Sequence, residues 1–137
     1  MTSDAVAWLR RAESDLDGVR RALMPLPGPN PELAAYHCQQ AGEKLVKALL
    51  VALGIAFPRR GFTGHDIGLA ARLIPDGHAL RPVAVALAEL TPWATAFRYP
   101  TEDPSTAEAT PTPEVLAAWL ERLEAFRTDV AALTGVS

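Results

Sequence analysis

Residues 30–54 have the sequence NPELAAYHCQQAGEKLVKALLVALG, which predicts one long helix with a defined start and end. Asn30 suits the N-cap, and Pro31 suits the first helical position, where a backbone N–H has no partner in any case. Gly54 suits the left-handed residue just beyond a helix, and Ile55 can close a Schellman-type hydrophobic contact behind it. Both ends of this helix are therefore specified locally.

A rotation of about 100° per residue divides this helix into two arcs. The apolar arc is broad and contains Ala34, Ala35, Cys38, Ala41, Gly42, Leu45, Val46, Leu49, Ala52 and Leu53. The opposite arc carries His37, Gln40, Glu43, Lys44 and Lys47, of which Glu43 and Lys47 have the spacing of a helix ion pair. The polar arc predicts either a solvated surface or the wall of a dimer groove. The apolar arc predicts either a deeply buried helix or a dimer surface.

The flanking segments are also helical in pattern. Residues 4–24 have apolar side chains at three-and-four spacing, and a proline-rich stretch from Pro25 to Pro29 stops that helix. Residues 66–74 predict a short helix capped by Asp66. Residues 81–97 predict a fourth helix that Pro92 kinks. A fifth helix has Thr112 as its N-cap and ends at Gly135.

This order of segments predicts an all-α fold, an antiparallel up-and-down bundle of four long helices plus one short helix, with residues 1–137 as one domain. The chain has 137 residues, and no alternating β-branched run indicates a strand. Its single cysteine, Cys38, suits a reducing compartment and lies on the apolar arc. With no apolar run of membrane-spanning length, we expect a cytoplasmic protein without membrane contact.

A formal net charge of −3 argues against binding nucleic acid through a generally basic surface. Any contact with RNA or nucleotide must come from a local cluster of cations. His37 and His65 lack a partner histidine at metal-ligand spacing, and no glycine-rich loop follows a strand. We therefore predict no metal site and no cofactor.

Three pieces of the sequence, taken together, resemble the HEPN family (higher eukaryotes and prokaryotes nucleotide-binding). Residues 36–50, YHCQQAGEKLVKALL, resemble the signature helix of that family. Residues 63–67, TGHDI, look like the start of its short third helix, and residues 97–100, FRYP, look like the arginine-tyrosine-proline box that ends its fourth. The resemblance extends over most of the chain and implies a five-helix, commonly dimeric bundle.

The resemblance implies two kinds of function. Many members of the family are ribonucleases, often toxins of toxin–antitoxin systems, and others act beside a minimal nucleotidyltransferase. The ribonucleases use an arginine followed a few residues later by a histidine, without a metal. Here Arg98 is followed by Asp103, Pro104 and Ser105 at those positions, and no histidine occurs after His78. Whether the chain is an enzyme is therefore open, since acid–base cleavage of RNA usually relies on histidine.

The leading hypothesis is a HEPN protein that binds nucleotide or RNA phosphate and forms one half of a nucleotidyltransferase-linked or toxin–antitoxin-like pair, as a homodimer. The candidate binding residues are His37, Gln40, Glu43, Lys44, Lys47, Arg98 and Tyr99. Arg59 and Arg60 are further candidates for a positive site. One alternative is a metal-independent ribonuclease in which His37, Tyr99 or Glu102 replaces the missing histidine. Another is a non-catalytic helical dimerisation module.

Overall fold

The computed structural model describes residues 3–57, 65–96 and 109–135. These residues form five α-helices and one 3₁₀ helix, and they contain no strand. The elements are α1 (Ser3–Ala22), α2 (Pro31–Ala52), α3 (Ile67–Arg72), α4 (Arg81–Ala86), the 3₁₀ helix (Leu87–Ala94) and α5 (Pro113–Thr134). The predicted all-α fold class is confirmed.

Helix α2 begins and ends as its sequence predicts. The Asn30 side chain accepts a hydrogen bond from the backbone N–H of Leu33, at 3.2 Å. At the other end, Gly54 has a φ of 74° and the Ile55 N–H donates to the Leu50 carbonyl at 2.9 Å. This bond closes a Schellman motif, because it joins the second residue beyond the cap to the third from last in the helix.

Contacts between the long helices give their relative directions. Asp15 of α1 contacts both His37 and Lys44 of α2, while the Asn30 N–H bonds to the Ala22 carbonyl where the two helices meet. Residues later in α1 therefore contact residues earlier in α2, so the two helices are antiparallel. Helices α1 and α5 are also antiparallel, because their ion pairs join Glu13 to Arg127 and Arg20 to Glu124.

Helix α2 lies at the centre of the core. Leu45, Leu49 and Leu50 are fully buried, although Leu50 points about 100° away from Leu49 around the helix axis. Gly42 allows close packing, since a Cβ atom built there would lie 3.2 Å from a methyl group of Leu90. The interpretation of a deeply buried helix is thus confirmed, and α1, α3, the 3₁₀ helix and α5 all pack against it.

The fourth helix differs from its prediction. The prediction of a kinked α-helix over residues 81–97 is wrong, because α4 ends at Ala86 and the chain continues as the 3₁₀ helix Leu87–Ala94. Pro92 lies inside that segment and has no N–H to donate, so an α-helical hydrogen bond is lost there. The Thr91 hydroxyl instead accepts from the Ile67 N–H at 3.2 Å, which joins the 3₁₀ helix to α3.

The remaining helix limits agree with the sequence to within two residues at most ends. The predicted caps are confirmed, since Asp66 accepts from the Leu69 N–H at 3.1 Å and Thr112 accepts from the Val115 N–H at 3.2 Å. Gly135 ends α5 with a φ of 75°. The Asp66 cap fixes the start of α3 at Ile67, two residues after His65, and this position matters for the site.

Candidate functional site

One cluster of polar side chains lies between α1 and α2, and we call Asp15, His37 and Lys44 the Asp15 cluster. The Asp15 Oδ1 atom is 2.9 Å from His37 Nδ1, and its Oδ2 atom accepts from Lys44 Nζ. The Asp15 side chain is only 9% exposed, whereas those of His37 and Lys44 are 25% and 22% exposed. A buried carboxylate thus holds an imidazole and an ammonium that both reach solvent.

The Asp15 contact also determines how the His37 ring is protonated and placed. An ionised carboxylate can only accept, so Nδ1 must donate its hydrogen to Asp15. Within the described part of the chain His37 Nε2 makes no hydrogen bond. It is not among the buried side-chain atoms that lack a partner. The ring lies against Gly18, where an added Cβ atom would come within 2.8 Å of it. The Tyr36 ring packs edge-on against the His37 ring, with the two ring centres 5.5 Å apart.

A second cluster lies between α2 and the start of α3, and we call Gln39, Glu43, Lys47 and His65 the Glu43 cluster. Glu43 Oε1 accepts from His65 Nδ1 at 3.0 Å and from Gln39 Nε2 at 3.2 Å. Glu43 Oε2 accepts from Lys47 Nζ at 3.0 Å. Each cluster therefore has the same chemistry, in which a carboxylate binds a histidine through one oxygen and a lysine through the other.

Burial is distributed differently in the Glu43 cluster. The Glu43 and Lys47 side chains are 7% and 6% exposed, and the His65 side chain is 61% exposed. The ammonium of Lys47 lies 5.4 Å from the centre of the Trp8 ring and 5.8 Å from that of Phe57. Lys47 is therefore enclosed by a carboxylate and two aromatic rings, which reduces the cost of burying its charge.

The polar arc of α2 is therefore only partly solvated, since His37 and Lys44 reach solvent whereas Glu43 and Lys47 are buried. The predicted ion pair between Glu43 and Lys47 is confirmed, but both residues are buried within the chain. The reason is that α1 and His65, two residues before α3, supply polar partners for this arc. Gln40 links the arc together, since its Nε2 donates to Gln39 Oε1 at 2.6 Å.

The sequence-predicted site residues divide into four groups. His37 and Lys44 lie together in the Asp15 cluster, and Glu43 and Lys47 lie together in the Glu43 cluster. Gln40 is partly buried on the arc between them. The remaining predicted residues lie outside the described part of the chain: Arg59, Arg60, Arg98, Tyr99, Glu102 and the positions 103–105.

Sequence reasoning missed Asp15, Gln39 and the pairing of His65. A signal for Asp15 was present, because it lies at helical spacing from Trp8, Ala12 and Val19 and so interrupts an apolar stripe. A carboxylate in such a position needs a partner on the neighbouring helix. No comparable local signal identified Glu43 as the partner of His65, since the two are separated by 22 residues in sequence.

Other reactive side chains lie apart from these clusters. Burial raises the pKa of the Cys38 thiol to about 12, so it remains protonated at neutral pH. His78 is partly exposed, and its Nδ1 accepts from the Leu80 N–H at 3.0 Å. Within the ranges described, no group of three histidine, cysteine or acidic side chains comes together as metal ligands. None of the described helices is long and apolar enough to cross a membrane.

Comparison with known proteins identifies one similarity. The family model described as HEPN domain matches residues 5–133, nearly the whole chain. No curated protein and no solved structure matches the chain significantly. The match includes nearly all of α1 and α5 and the whole of the elements between them, and therefore both clusters.

Proposed function

The chain belongs to the HEPN domain family, and from this premise we propose that it binds nucleotide or RNA phosphate at the Asp15 cluster. The observation that supports the proposal most is the buried Asp15 carboxylate, which holds His37 and Lys44 side by side with both partly exposed. Side chains held in place by such a partner lose little conformational entropy when a ligand binds. A localised site of this kind is compatible with a net charge of −3.

The other predicted residues take different parts in this proposal. The Lys44 ammonium contributes the positive charge, and the partly exposed Gln40 offers an amide beside it. Glu43 and Lys47 act from beneath the surface, by fixing the position of α2 against its neighbours. Arg98 contributes a planar guanidinium for phosphate, and Tyr99 a ring on which a base stacks.

Thermal unfolding against a panel of mononucleotides and short RNAs tests the binding. A ligand at about a hundred times its dissociation constant stabilises the fold by about 2.7 kcal/mol, which is a shift of several degrees. We expect Lys44→Ala and Arg98→Ala each to reduce the shift. Arg10→Ala is the matched control, because Arg10 is an exposed cation of α1 with its side chain in no described ion pair. Equal shifts in all four proteins would contradict the proposal.

We further propose that the protein acts as a homodimer and as one half of a nucleotidyltransferase-linked or toxin–antitoxin-like pair. The support for this is family membership, since members commonly dimerise and many act in such pairs. Light scattering coupled to gel filtration measures the mass of the protein alone. Co-expression with a nucleotidyltransferase encoded beside it measures complex formation. A monomer that forms no complex would contradict both statements.

A further inference from the structure

Helix α5 presents a surface to solvent that differs in character from that of α1. Of the exposed residues described in α1, only Ala7 is apolar, and the others are charged or polar, as is usual for the outside of a bundle. The exposed residues of α5 include six apolar ones. Together with Arg122 and Asp129 we call them the α5 face: Val115, Ala117, Ala118, Ala125, Ala132 and Leu133.

Two side chains of the α5 face leave a substantial apolar surface in water. Val115 is 45% exposed and Leu133 is 44% exposed, although the opposite side of α5 already supplies a buried stripe to the core. The two residues are 18 positions apart, which is five helical turns, so they lie on the same side of α5. Valine is also a poorer helix former than alanine, lysine or glutamate, so helix propensity does not account for Val115.

Two opposite charges on the α5 face form no ion pair within the described part of the chain. Asp129 is exposed, and the Arg122 guanidinium lies 4.2 Å from the centre of the Trp119 ring. Arg122 and Asp129 are seven residues apart, about 10 Å along the helix, so they do not pair with each other. Stacking on Trp119 restrains the guanidinium and leaves its N–H groups able to donate to a carboxylate in the same plane.

We propose that the α5 face binds the α5 face of a second copy of this chain, with the two helices antiparallel about a two-fold axis beside Ala125. This inference rests on the proposed homodimer and assigns the surface that forms it. In such an arrangement each helix runs away from the axis in the opposite direction. The numbers of two residues that face each other therefore add up to about 250, and every contact occurs twice.

The charges of the α5 face are complementary in this arrangement. Arg122 comes beside Asp129 of the partner subunit, and by symmetry the second Arg122–Asp129 contact is identical. Each charge that forms no ion pair within the described chain thus gains one between the copies. A parallel arrangement in register would instead place each charge against its own copy. The charges therefore favour the antiparallel direction.

The apolar residues of the α5 face also match one another in this arrangement. Val115 comes beside Leu133 of the partner subunit near both ends of the contact, so both large exposed side chains are covered. Between them, Ala118, Ala125 and Ala132 recur every seven residues and so lie in one row along the helix. Small residues in such a row allow two helix axes to approach to about 8 Å. Because the face matches itself in both charge and size, a second copy is the partner that it fits.

Analytical ultracentrifugation of the full chain over a range of concentrations tests the pairing of charges. We expect Arg122→Glu to weaken the dimer at least about tenfold, because it brings two carboxylates together at each of two symmetric contacts. The exchange variant, Arg122→Glu with Asp129→Arg, restores both ion pairs and should dimerise within about threefold of the wild type. Arg10→Glu is the matched control, because Arg10 is an exposed cation of α1, and it should leave the dimer unchanged. All these positions are exposed, so circular dichroism should be the same in every variant.

Disulfide cross-linking gives an independent measurement at the two-fold axis. Residue 125 faces its own copy there, so the thiols of two Ala125→Cys chains come within disulfide range. The natural thiol does not interfere, because Cys38 is buried and its burial raises its pKa to about 12. We expect mild oxidation to convert Ala125→Cys to a covalent dimer. Ala7→Cys, at an exposed alanine of α1, is the control and should remain a single chain under denaturing conditions.

The proposed homodimer and its assigned surface fail in different ways. A wild type that is monomeric at every concentration overturns both. A dimer that Arg122→Glu does not weaken and Ala125→Cys does not cross-link overturns the assigned surface alone, and the homodimer stands. A dimer that Arg122→Glu weakens but the exchange variant does not restore overturns the antiparallel pairing of Arg122 with Asp129.

Discussion

The Asp15 cluster and the Glu43 cluster contain the same functional groups, yet burial gives them different capacities. In the Asp15 cluster only the carboxylate is buried, and the histidine and lysine side chains are 25% and 22% exposed. In the Glu43 cluster the lysine is buried with the carboxylate, and only the histidine is exposed. The position of the lysine therefore determines whether a carboxylate–histidine couple faces a ligand or joins two helices.

The largest effect is expected from breaking the buried pair. Glu43→Ala leaves the Lys47 ammonium buried without a carboxylate, which should lower the free energy of unfolding by about 3–5 kcal/mol. Urea denaturation measures this loss. The double variant Glu43→Leu with Lys47→Met is the control, because an apolar pair of similar size should recover most of the stability. A loss below about 1 kcal/mol for Glu43→Ala would show that the pair does not stabilise the fold.

A smaller effect on stability, with a clear structural consequence, is expected from Gly18→Ala. The added methyl group would lie 2.8 Å from the His37 ring, which is closer than side chains pack, so the ring or the backbone beside it must shift. Such overpacking costs about 1–3 kcal/mol, and the better helix propensity of alanine recovers about 1 kcal/mol of it. We expect a net loss of at most about 2 kcal/mol in urea denaturation, together with loss of ligand binding.

The double variant Gly18→Ala with His37→Ala identifies the cause of the lost stability. If the methyl group acts through the His37 ring, removing the ring should abolish the penalty, and the two substitutions should be strongly non-additive. Strictly additive effects would show that the methyl group meets some other part of the structure.

Another titratable group of α2, Cys38, belongs to neither cluster and gives a pH-dependent prediction. Its folded-state pKa is raised from 9.0 to about 12, so above pH 9 the unfolded chain loses a proton that the folded chain keeps. The free energy of unfolding should therefore fall as pH rises from 9 towards 12, by about 1.4 kcal/mol at pH 10. Denaturation of wild type and Cys38→Ala at several pH values checks this. Equal slopes in the two proteins would contradict it.

The smallest change in stability is expected from His65→Ala, and it sharpens the comparison most. The His65 side chain is 61% exposed, so its contact with Glu43 should contribute less than about 1 kcal/mol. We expect binding of RNA or nucleotide to be retained in this variant and lost in His37→Ala, at similar melting temperatures. Titration of both variants with the same ligand measures the difference. Equal losses of binding would contradict the distinction between the clusters.

The sequence predicts much of the fold because the information is local. Asn30, Asp66 and Thr112 cap their helices through side chains that bond within the next turn, and Gly54 and Gly135 end helices through their own backbone freedom. The C-terminal end of helix α4 was not predictable in the same way. Pro92 indicates an interruption, but whether the chain kinks or tightens into a 3₁₀ helix depends on its packing against α3.

The candidate site was only partly predictable, for a related reason. The polar arc of α2 is visible in the sequence, but its burial depends on Asp15 and His65. Asp15 lies 22 residues before its partner His37, and His65 lies 22 residues after its partner Glu43. A single arc in sequence therefore becomes two clusters in space. Residues such as Lys44 and Lys47, which are equivalent in helical pattern, end in different surroundings because different elements cover them.

The most direct test of this distinction is the nuclear magnetic resonance of the imidazole nitrogens, recorded with and without a 2′-deoxy oligonucleotide. The chain has three histidines, so single substitutions assign every signal. Neutral His37 and His65 should carry hydrogen on Nδ1, and His78, whose Nδ1 accepts a hydrogen bond, should carry it on Nε2. The account predicts that the oligonucleotide shifts the Nε2 signal of His37 and leaves that of His65 unchanged. A shift at His65 without one at His37 would contradict it.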